Sequence, residues 1–503
     1  MHHNPTPTFL GVTYDRQLTF IKHTETVARK MATRARAIRK LAHTDWGYDK
    51  ATLRNTYIAT ARTVAEYAAP AWIPWISPTN LEKLEASQRY AARAITGLLK
   101  TTPSDAVLIE SDLPSIKTRA TQLAIYAYDK SLRVPDDNPR RLVAGRHPTR
   151  RTKKTDWRDH ARDRWATVFV NAQGDQDPFP QLRAPWEEIT AMTFAKAAEG
   201  RYQQPEDNYA ATVSALNKDA DVFQLTCFTD GSARTGNTAG GAGVLMIHRE
   251  SGETWEQSLP AGSWTSSFQA EMIAIEAALK MATERCEPGT PIRLVTDSLS
   301  SHQRLQTMEH EFKLKTTTEA SIRELLTTLE DKQVAVEVLW VPSHCGVPGN
   351  ERADQLAAAG GGMEQGGAPR HFATAKAAIR RATRSHRIHA DKRKNLYADN
   401  EDNTIFPRDQ NLNRQEQVTI SRLRSGHHPE LRYWRKKMGL TESEECRLCG
   451  TGDAETAEHV LTKCPAMTAL YPDGWTHKDL LTSPKEALNI WSEWLEAVSP
   501  DTA

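Results

Sequence analysis

Long apolar runs are missing from this 503-residue chain. Together with a mean hydropathy of −0.60, that argues against a membrane-spanning helix. The opening MHHNPTPTFLGVTYD lacks the basic-then-apolar pattern of a secretory leader, so an intracellular protein is expected. Cysteine is scarce: six in all, three of them clustered, which fits a reducing compartment and a metal rather than a disulfide framework. No charge sign dominates, with 65 Lys and Arg against 63 Asp and Glu, although the basic residues are unevenly placed. Internal repeats are also lacking. The length implies several domains, and the 39% hydrophobic content suits soluble globular parts.

What is present begins with four acidic residues in distinctive settings. Asp230 ends an apolar run in CFTDGSA, and Asp297 closes another in PIRLVTDSLS. Glu271 lies in SSFQAEMIAIEAALK, and Asp354 in SHCGVPGNERADQLAAA, where it falls in the first turn of an expected helix. Two strand ends and two helices can bring such carboxylates to one point. The cluster would repel itself unless divalent cations held it, and hard oxygen ligands suit Mg²⁺ or Mn²⁺. Two such ions are a means of hydrolysing phosphodiesters.

Residues from about 221 to 361 resemble a type 1 ribonuclease H domain. The resemblance rests on Asp-Gly-Ser at 230–232, Ala-Glu at 270–271, Thr-Asp-Ser at 296–298, and His344 followed by Gly349-Asn350-Glu351-Arg352-Ala353-Asp354, in family order. It implies cleavage of the RNA strand of an RNA–DNA hybrid, with the 2′-hydroxyl marking the strand to be cut. It also implies roles. Asp230 would bridge two metal ions, Asp354 would help hold the one that activates water, and Glu271 and Asp297 the one at the leaving 3′ oxygen. His344 would assist proton movement or product release. Substrate contacts would come from Ser232, Gln269, Ser298 and Asn350.

Local patterning agrees with this. Phe223, Leu225 and Cys227 alternate with polar neighbours as on a half-buried strand, and Gly231 allows a sharp turn after Asp230. Gly240, Gly241 and Gly243 lead into a strand at 244–247, and 253–259 reads as a third. Phe268, Met272, Ile275, Leu279 and Ala282 form a helical stripe. Ile292, Leu294 and Val295 make a strand. A helix near 318–330 precedes the alternating Val334, Val336, Val338 and Trp340, and Asn350 reads as the N-cap of the last helix. The order β-β-β-α-β-α-β-α predicts an α/β fold with a mixed five-stranded sheet over 219–362. Ser267 and Phe268 stand where cellular members usually carry amides. The segment 302–318 pairs Arg304, Lys313 and Lys315 with Glu309 and Glu311, so no strongly basic protrusion is expected.

Each residue also has a plainer reading. Asp354 could serve only the helix dipole. Asp297 could be a turn residue, and Glu271 a solvated acid. His344 beside Cys345 could suggest a thiol nucleophile, although adjacent residues rarely face each other.

A second signal is Cys446, Cys449, His459 and Cys464, spaced C-x2-C-x9-H-x4-C. Three thiolates and an imidazole suit tetrahedral, structural Zn²⁺; the plain alternative is buried free cysteines beside an unrelated histidine. The module's own acidic residues leave open whether it touches nucleic acid.

The flanks divide into a helical 1–132, a basic and poorly defined 133–218, a basic helical 363–439, and a Cys/His module with a C-terminal helix over 440–503. Helices are expected near 18–42, 50–68, 79–99 and 115–132. Basic residues on the first helix, at 140–154, at 370–394, and in ISRLRSGHHPELRYWRKKMG suit phosphate contacts, with Tyr433 and Trp434 for stacking. A solvated helix face is the alternative for 370–397. FLGVTYDRQLTFIKHTETVARK, AEYAAPAWIPWIS, LEKLEASQRYAARAITG, SRLRSGHHPEL and AEHVLTKCPA resemble the region beyond the polymerase palm in non-LTR retrotransposon reverse transcriptase polyproteins. No Tyr-x-Asp-Asp occurs, and Tyr397-Ala398-Asp399-Asn400 follows the nuclease segment. A copy starting beyond the palm is expected, without polymerase activity, and the resemblance implies nuclear action. The expectation is a metal-dependent ribonuclease H with retrotransposon-derived flanks. The alternative is a non-catalytic nucleic-acid-binding remnant. Protein partners are not legible.

Overall fold

The computed structural model describes residues 4–145, 157–170, 176–179, 192–198, 200, 204–234, 239–308, 311, 314–366, 370–389, 397 and 409–499. Contacts divide the chain into two compact units, one of 126–149 and 162–379, the other of 1–125, 150–161 and 380–503.

The first of these holds a six-stranded sheet: β1 (Met192–Lys196), β2 (Leu225–Ala233), β3 (Gly240–His248), β4 (Thr254–Pro260), β5 (Ile292–Thr296) and β6 (Val336–Trp340). Their order is β1-β6-β5-β2-β3-β4. Strands β1, β6, β5 and β2 run parallel, while β3 and β4 complete an antiparallel meander. Helices accompanying the sheet include α1 (Ser267–Arg285), α2 (Leu299–Met308), α3 (Thr317–Asp331) and α4 (Pro348–Gly362). Ser266 caps α1 by accepting from the Gln269 amide, and Thr316 caps α3 by accepting from Glu319, each satisfying an otherwise orphaned donor.

Alternation along the strands sends the two faces to different helices. Leu225, Cys227, Val244, Met246, Leu294 and Val338 pack with Met272, Ile275, Leu279 and Leu326 of α1 and α3. Phe228, Leu245, Val295 and Leu339 pack with Val347, Ala353 and Leu356 at the other face.

Several expectations change. The sheet has six strands, not five, because Met192–Lys196 pairs in parallel with β6. Its mixed sequence MTFAK carries little alternation to betray an edge strand, and it falls in the stretch read as a basic linker. A helix, α2, fills the start of 302–318. The glycines at 240–243 are strand residues, not a lead-in. A Cβ on Gly241 would meet the Ala357 carbonyl at 1.9 Å, and one on Gly243 the Ala353 carbonyl at 2.2 Å, so they let α4 lie directly on the sheet. Gly360 is likewise part of α4, pressed against the Leu259 backbone.

The other unit is helical. Its helices Ile21–Lys40, Lys50–Tyr57 and Pro78–Thr96 match the expected positions, and Ser104–Glu110 adds a short one. Ser77 caps Pro78–Thr96, whose end is marked by Gly97 at φ 69°. Residues from both ends of the chain meet in one buried network. Lys50 Nζ lies 3.0 Å from Glu110, 2.7 Å from Asp409 and 3.0 Å from Ser421 Oγ. Arg424 grips Asp409 through two bonds of 2.9 Å, and Tyr397 donates to Glu110 at 3.0 Å. No described helix is long and apolar enough to cross a membrane.

Candidate active site and metal centres

Strand register creates the acidic cluster. Thr229 of β2 pairs with Thr296 of β5, so the next residues, Asp230 and Asp297, lie side by side at one level. Asp297 follows the end of β5, whereas Asp230, read as a strand end, sits inside β2, which runs on to Ala233. Glu271 reaches them because α1 crosses β2 at Gly231, where a Cβ would lie 2.1 Å from the Glu271 nitrogen. Gly231 thus serves close approach, not the sharp turn read from the sequence, since β2 continues through Ala233. One carboxylate oxygen from each of Asp230, Glu271 and Asp297 lies within 4.8 Å of the others.

The electrostatics of this trio are strained. Burial, with Asp297 and Asp354 nearby, pushes the Asp230 carboxyl up to about 7. Burial and the charges of Asp230 and Asp297 hold Glu271 well above its ordinary value. Asp297 is also raised by burial, although Asn350 donates to it at 3.2 Å. Glu271 Oε2 is buried without a hydrogen-bond partner. Hard oxygen donors, mutual repulsion and an orphaned carboxylate oxygen together fit a divalent cation.

Asp354 falls in the second turn of α4, not the first, because the helix begins at Pro348. It groups with His344 and Glu351, their donor atoms within 4.8 Å of one another. Glu351 had no role in the sequence reading; its spacing of three from Asp354 was the available signal. His344 is exposed, with φ 51°, on the loop after β6, while Cys345 is buried and donates to the Pro342 carbonyl. The two adjacent side chains therefore face apart, which removes the thiol–imidazole reading.

Residues 223–361 match the family model described as RNase H. Ribonuclease H of Pseudomonas paraeruginosa is 34% identical over 145 residues, covering 27% of this chain and 93% of that protein. The chain belongs to the ribonuclease H family. Ribonuclease H of Cereibacter sphaeroides is 35% identical over 149 residues, covering 28% of this chain and 95% of that protein. Among solved structures, RNase H1 from Halobacterium salinarum NRC-1 is similar at 24% identity, covering 27% of this chain and 96% of that chain, with a TM-score of 0.22.

Within this ribonuclease H domain the four expected substrate residues have distinct surroundings. Ser232 donates to the Ala357 carbonyl at 3.1 Å. Ser298 accepts from the Ser301 amide at the start of α2. Gln269 is 2% exposed, and its carbonyl oxygen accepts from Thr374. Asn350 is not the N-cap, a place taken by Val347; it lies inside α4 and turns its amide to Asp297. Arg304 is consumed internally, with bonds of 2.7 and 2.9 Å to Glu319. Lys313 and Glu309 lie outside the described residues.

The other unit assembles Cys446, Cys449, His459 and Cys464, all donor atoms within 4.8 Å of one another. A tight hairpin presents the first pair: Cys446 donates to the Asp453 carbonyl, and Glu455 to the Glu444 carbonyl. Gly450 and Gly452 supply its positive φ angles. His459 turns Nε2 toward Cys449 Sγ at 3.4 Å, with Nδ1 3.9 Å from Asp453. Glu455, fully buried, ties the hairpin down through Arg447. Three thiols and an imidazole fit Zn²⁺.

The basic flanks divide. On Ile21–Lys40, Lys22, Arg29, Lys30, Arg34, Arg36, Arg39 and Lys40 are all exposed. By contrast Arg414, Arg424 and Arg370 are buried, so part of the apparent phosphate-binding charge is structural. The side chains of Arg384 and Arg387, and residues 146–154, 392–394 and 398–400, lie outside the described residues.

Proposed function

We propose that the protein hydrolyses the RNA strand of RNA–DNA hybrids, and that it derives from a retrotransposon polyprotein. The convergence of Asp230, Glu271 and Asp297, with a buried and unpartnered Glu271 oxygen, carries this reading. Asp230, Glu271, Asp297 and Asp354 would hold two Mg²⁺ or Mn²⁺ ions, which when bound supply a nucleophilic water and charge for the leaving 3′ oxygen. The chain's own contribution is to pre-organise that charge. Strand β2, the end of β5 and α1 carry the three carboxylates, and Asn350 donates to Asp297. His344, which is exposed, would assist proton movement or product release. Ser232, Gln269, Ser298 and Asn350 remain the proposed substrate contacts, with Gln269 acting from beneath the surface.

Substrate affinity from the nuclease domain alone is modest in this reading, because Arg304 is spent on Glu319. The exposed basic face of Ile21–Lys40 would add phosphate contacts, and Zn²⁺ would hold the Cys/His module together. The flanking motifs support the retrotransposon origin, with nuclear action as its corollary.

The test is cleavage of a labelled hybrid in Mg²⁺ by wild type and Asp230→Asn. RNA-strand cuts that vanish in the variant support the reading. A folded wild type inert in both Mg²⁺ and Mn²⁺ overturns it in favour of a binding remnant.

A further inference from the structure

A cavity of about 340 Å³ in the helical unit is lined by four arginines, Arg54, Arg62, Arg119 and Arg380, with Asp112 among its walls. One of its lining residues, Arg62, comes from a local irregularity. The helix that starts at Lys50 passes through a π-turn at Ile58–Arg62 before resuming at Thr63–Glu66. Such an insertion shifts helical register, and single π-turns are frequent at functional sites. Here it leaves both Ala61 and Arg62 buried. Arg62 is only 7% exposed, and its Nη1 is buried without a hydrogen-bond partner.

The carboxylates do not balance the guanidiniums. Arg54 bonds Asp112 at 2.7 Å. Glu66 is shared: it accepts from Arg119 at 2.9 and 3.1 Å and lies 2.8 Å from Arg62 Nε. Four cations thus face two anions, leaving a surplus of two. Burial depresses the Arg62 guanidinium despite Glu66, and the charges of Arg119 and Arg54 add to that. A buried donor left unmade, beside like charges, is costly unless a ligand completes it.

We propose that this cavity binds a phosphate monoester of nucleotide size. A monoester carries about −1.5 to −2 charge, which matches the surplus, and its oxygens suit forked guanidiniums. The volume is roughly ten times a water's share, so it accommodates more than a bare phosphate. This site is independent of the nuclease reading, since none of its residues belongs to the acidic cluster.

The chemistry is shared by a free nucleotide and by the 5′-phosphate end of a strand. Calorimetric titration of the full chain with adenosine monophosphate, inorganic phosphate, and an oligoribonucleotide with or without a 5′-phosphate separates them. Adenosine monophosphate should bind wild type more tightly than inorganic phosphate. Arg380→Gln, at an exposed position, should weaken it about tenfold without unfolding the chain. Arg62→Gln should weaken it further, and Arg380→Gln keeps the test valid should that buried change unfold the unit. Oligonucleotide binding that depends on the 5′-phosphate assigns the site to strand ends; indifference to it assigns the site to free nucleotides. Absence of phosphate binding, or equal affinity in wild type and Arg380→Gln, overturns the proposal.

Discussion

Gly231 lies against the backbone of Glu271, so closely that a Cβ at 231 would fall 2.1 Å from the Glu271 nitrogen and 2.4 Å from the Ala270 carbonyl carbon. This single contact sets how near α1 comes to β2, and hence whether Glu271 reaches Asp230. Backbone, unlike a side-chain tip, cannot swing aside. Gly231→Ala should therefore cost at least about 3 kcal/mol, the upper end for overpacking. The variant should also lose hybrid cleavage out of proportion to its unfolding, because any accommodation moves Glu271. Urea denaturation alongside the cleavage rate measures both. A fully active, equally stable variant would contradict the assigned role.

Asn350 holds Asp297 through a 3.2 Å bond while being almost fully buried itself. Partners of this sort typically govern metal affinity and activity by about 10–100-fold. Asn350→Ala should raise the Mg²⁺ concentration needed for half-maximal cleavage within that range, with the fold retained. Asn350→Asp should be worse, because it places a like charge against Asp297. If both variants showed the wild-type Mg²⁺ dependence, Asn350 would be only a packing residue.

Much of the ribonuclease H domain was legible because its acidic residues follow apolar runs that form neighbouring strands. Asp230 and Asp297 close apolar runs in the sequence, which suggested that two strands would bring them to one point, although only Asp297 follows a strand end and Asp230 lies within β2. The roles of the glycines were not legible in the same way. A glycine after an acidic residue that closes an apolar run reads as a turn, and only the helix lying on it reveals close approach. Asn350 misled for a related reason: Asn near a helix start suggests an N-cap, but Pro348 begins the helix earlier. Met192–Lys196 escaped because its partner, β6, is over a hundred residues away and its own pattern is weak. Charge was the least legible property. Arg424 and Arg304 look like surface cations, yet each is spent on a carboxylate made adjacent only by the fold.

Cys449 is the least buried of the four Cys/His donors, and it faces both Cys446 and His459 within the cluster. With zinc bound, the hairpin and the turn carrying His459 would be cross-linked; without it, the apolar core around Val460 and Leu461 and the Arg447–Glu455 bonds are left to hold three thiols and an imidazole together. Metal analysis should find one zinc per chain, lost in Cys449→Ser. Strong chelation should lower the thermal midpoint of the unit formed by the chain ends. Tyr471 bonds the Cys464 amide at 3.1 Å, so disorder should spread to 460–471 and be visible in hydrogen exchange. A chain that purifies without zinc and is indifferent to chelator would leave the cluster as buried thiols.

Two buried histidines make stability sensitive to acid. His428 packs edge-on against Trp491 at 4.5 Å between ring centroids. Burial, helped by the Arg422 charge, pushes it down to about 3. His371, in the other unit, is pushed down to about 4, chiefly by burial. In the unfolded chain both titrate near 6.5. Between that value and the folded one, the unfolded state takes up a proton that the folded state refuses. Stability therefore falls as pH drops below about 6.5, by up to about 1.4 kcal/mol per pH unit for each histidine. The loss levels off near pH 4 for His371 and near pH 3 for His428. Above pH 7 neither contributes a slope. His428→Gln should flatten the acid limb of its own unit, at some cost in packing against Trp491 that is independent of pH. Chemical denaturation from pH 7.5 to 4.5 measures the slope, and an unchanged slope in the variant would remove His428 as its source.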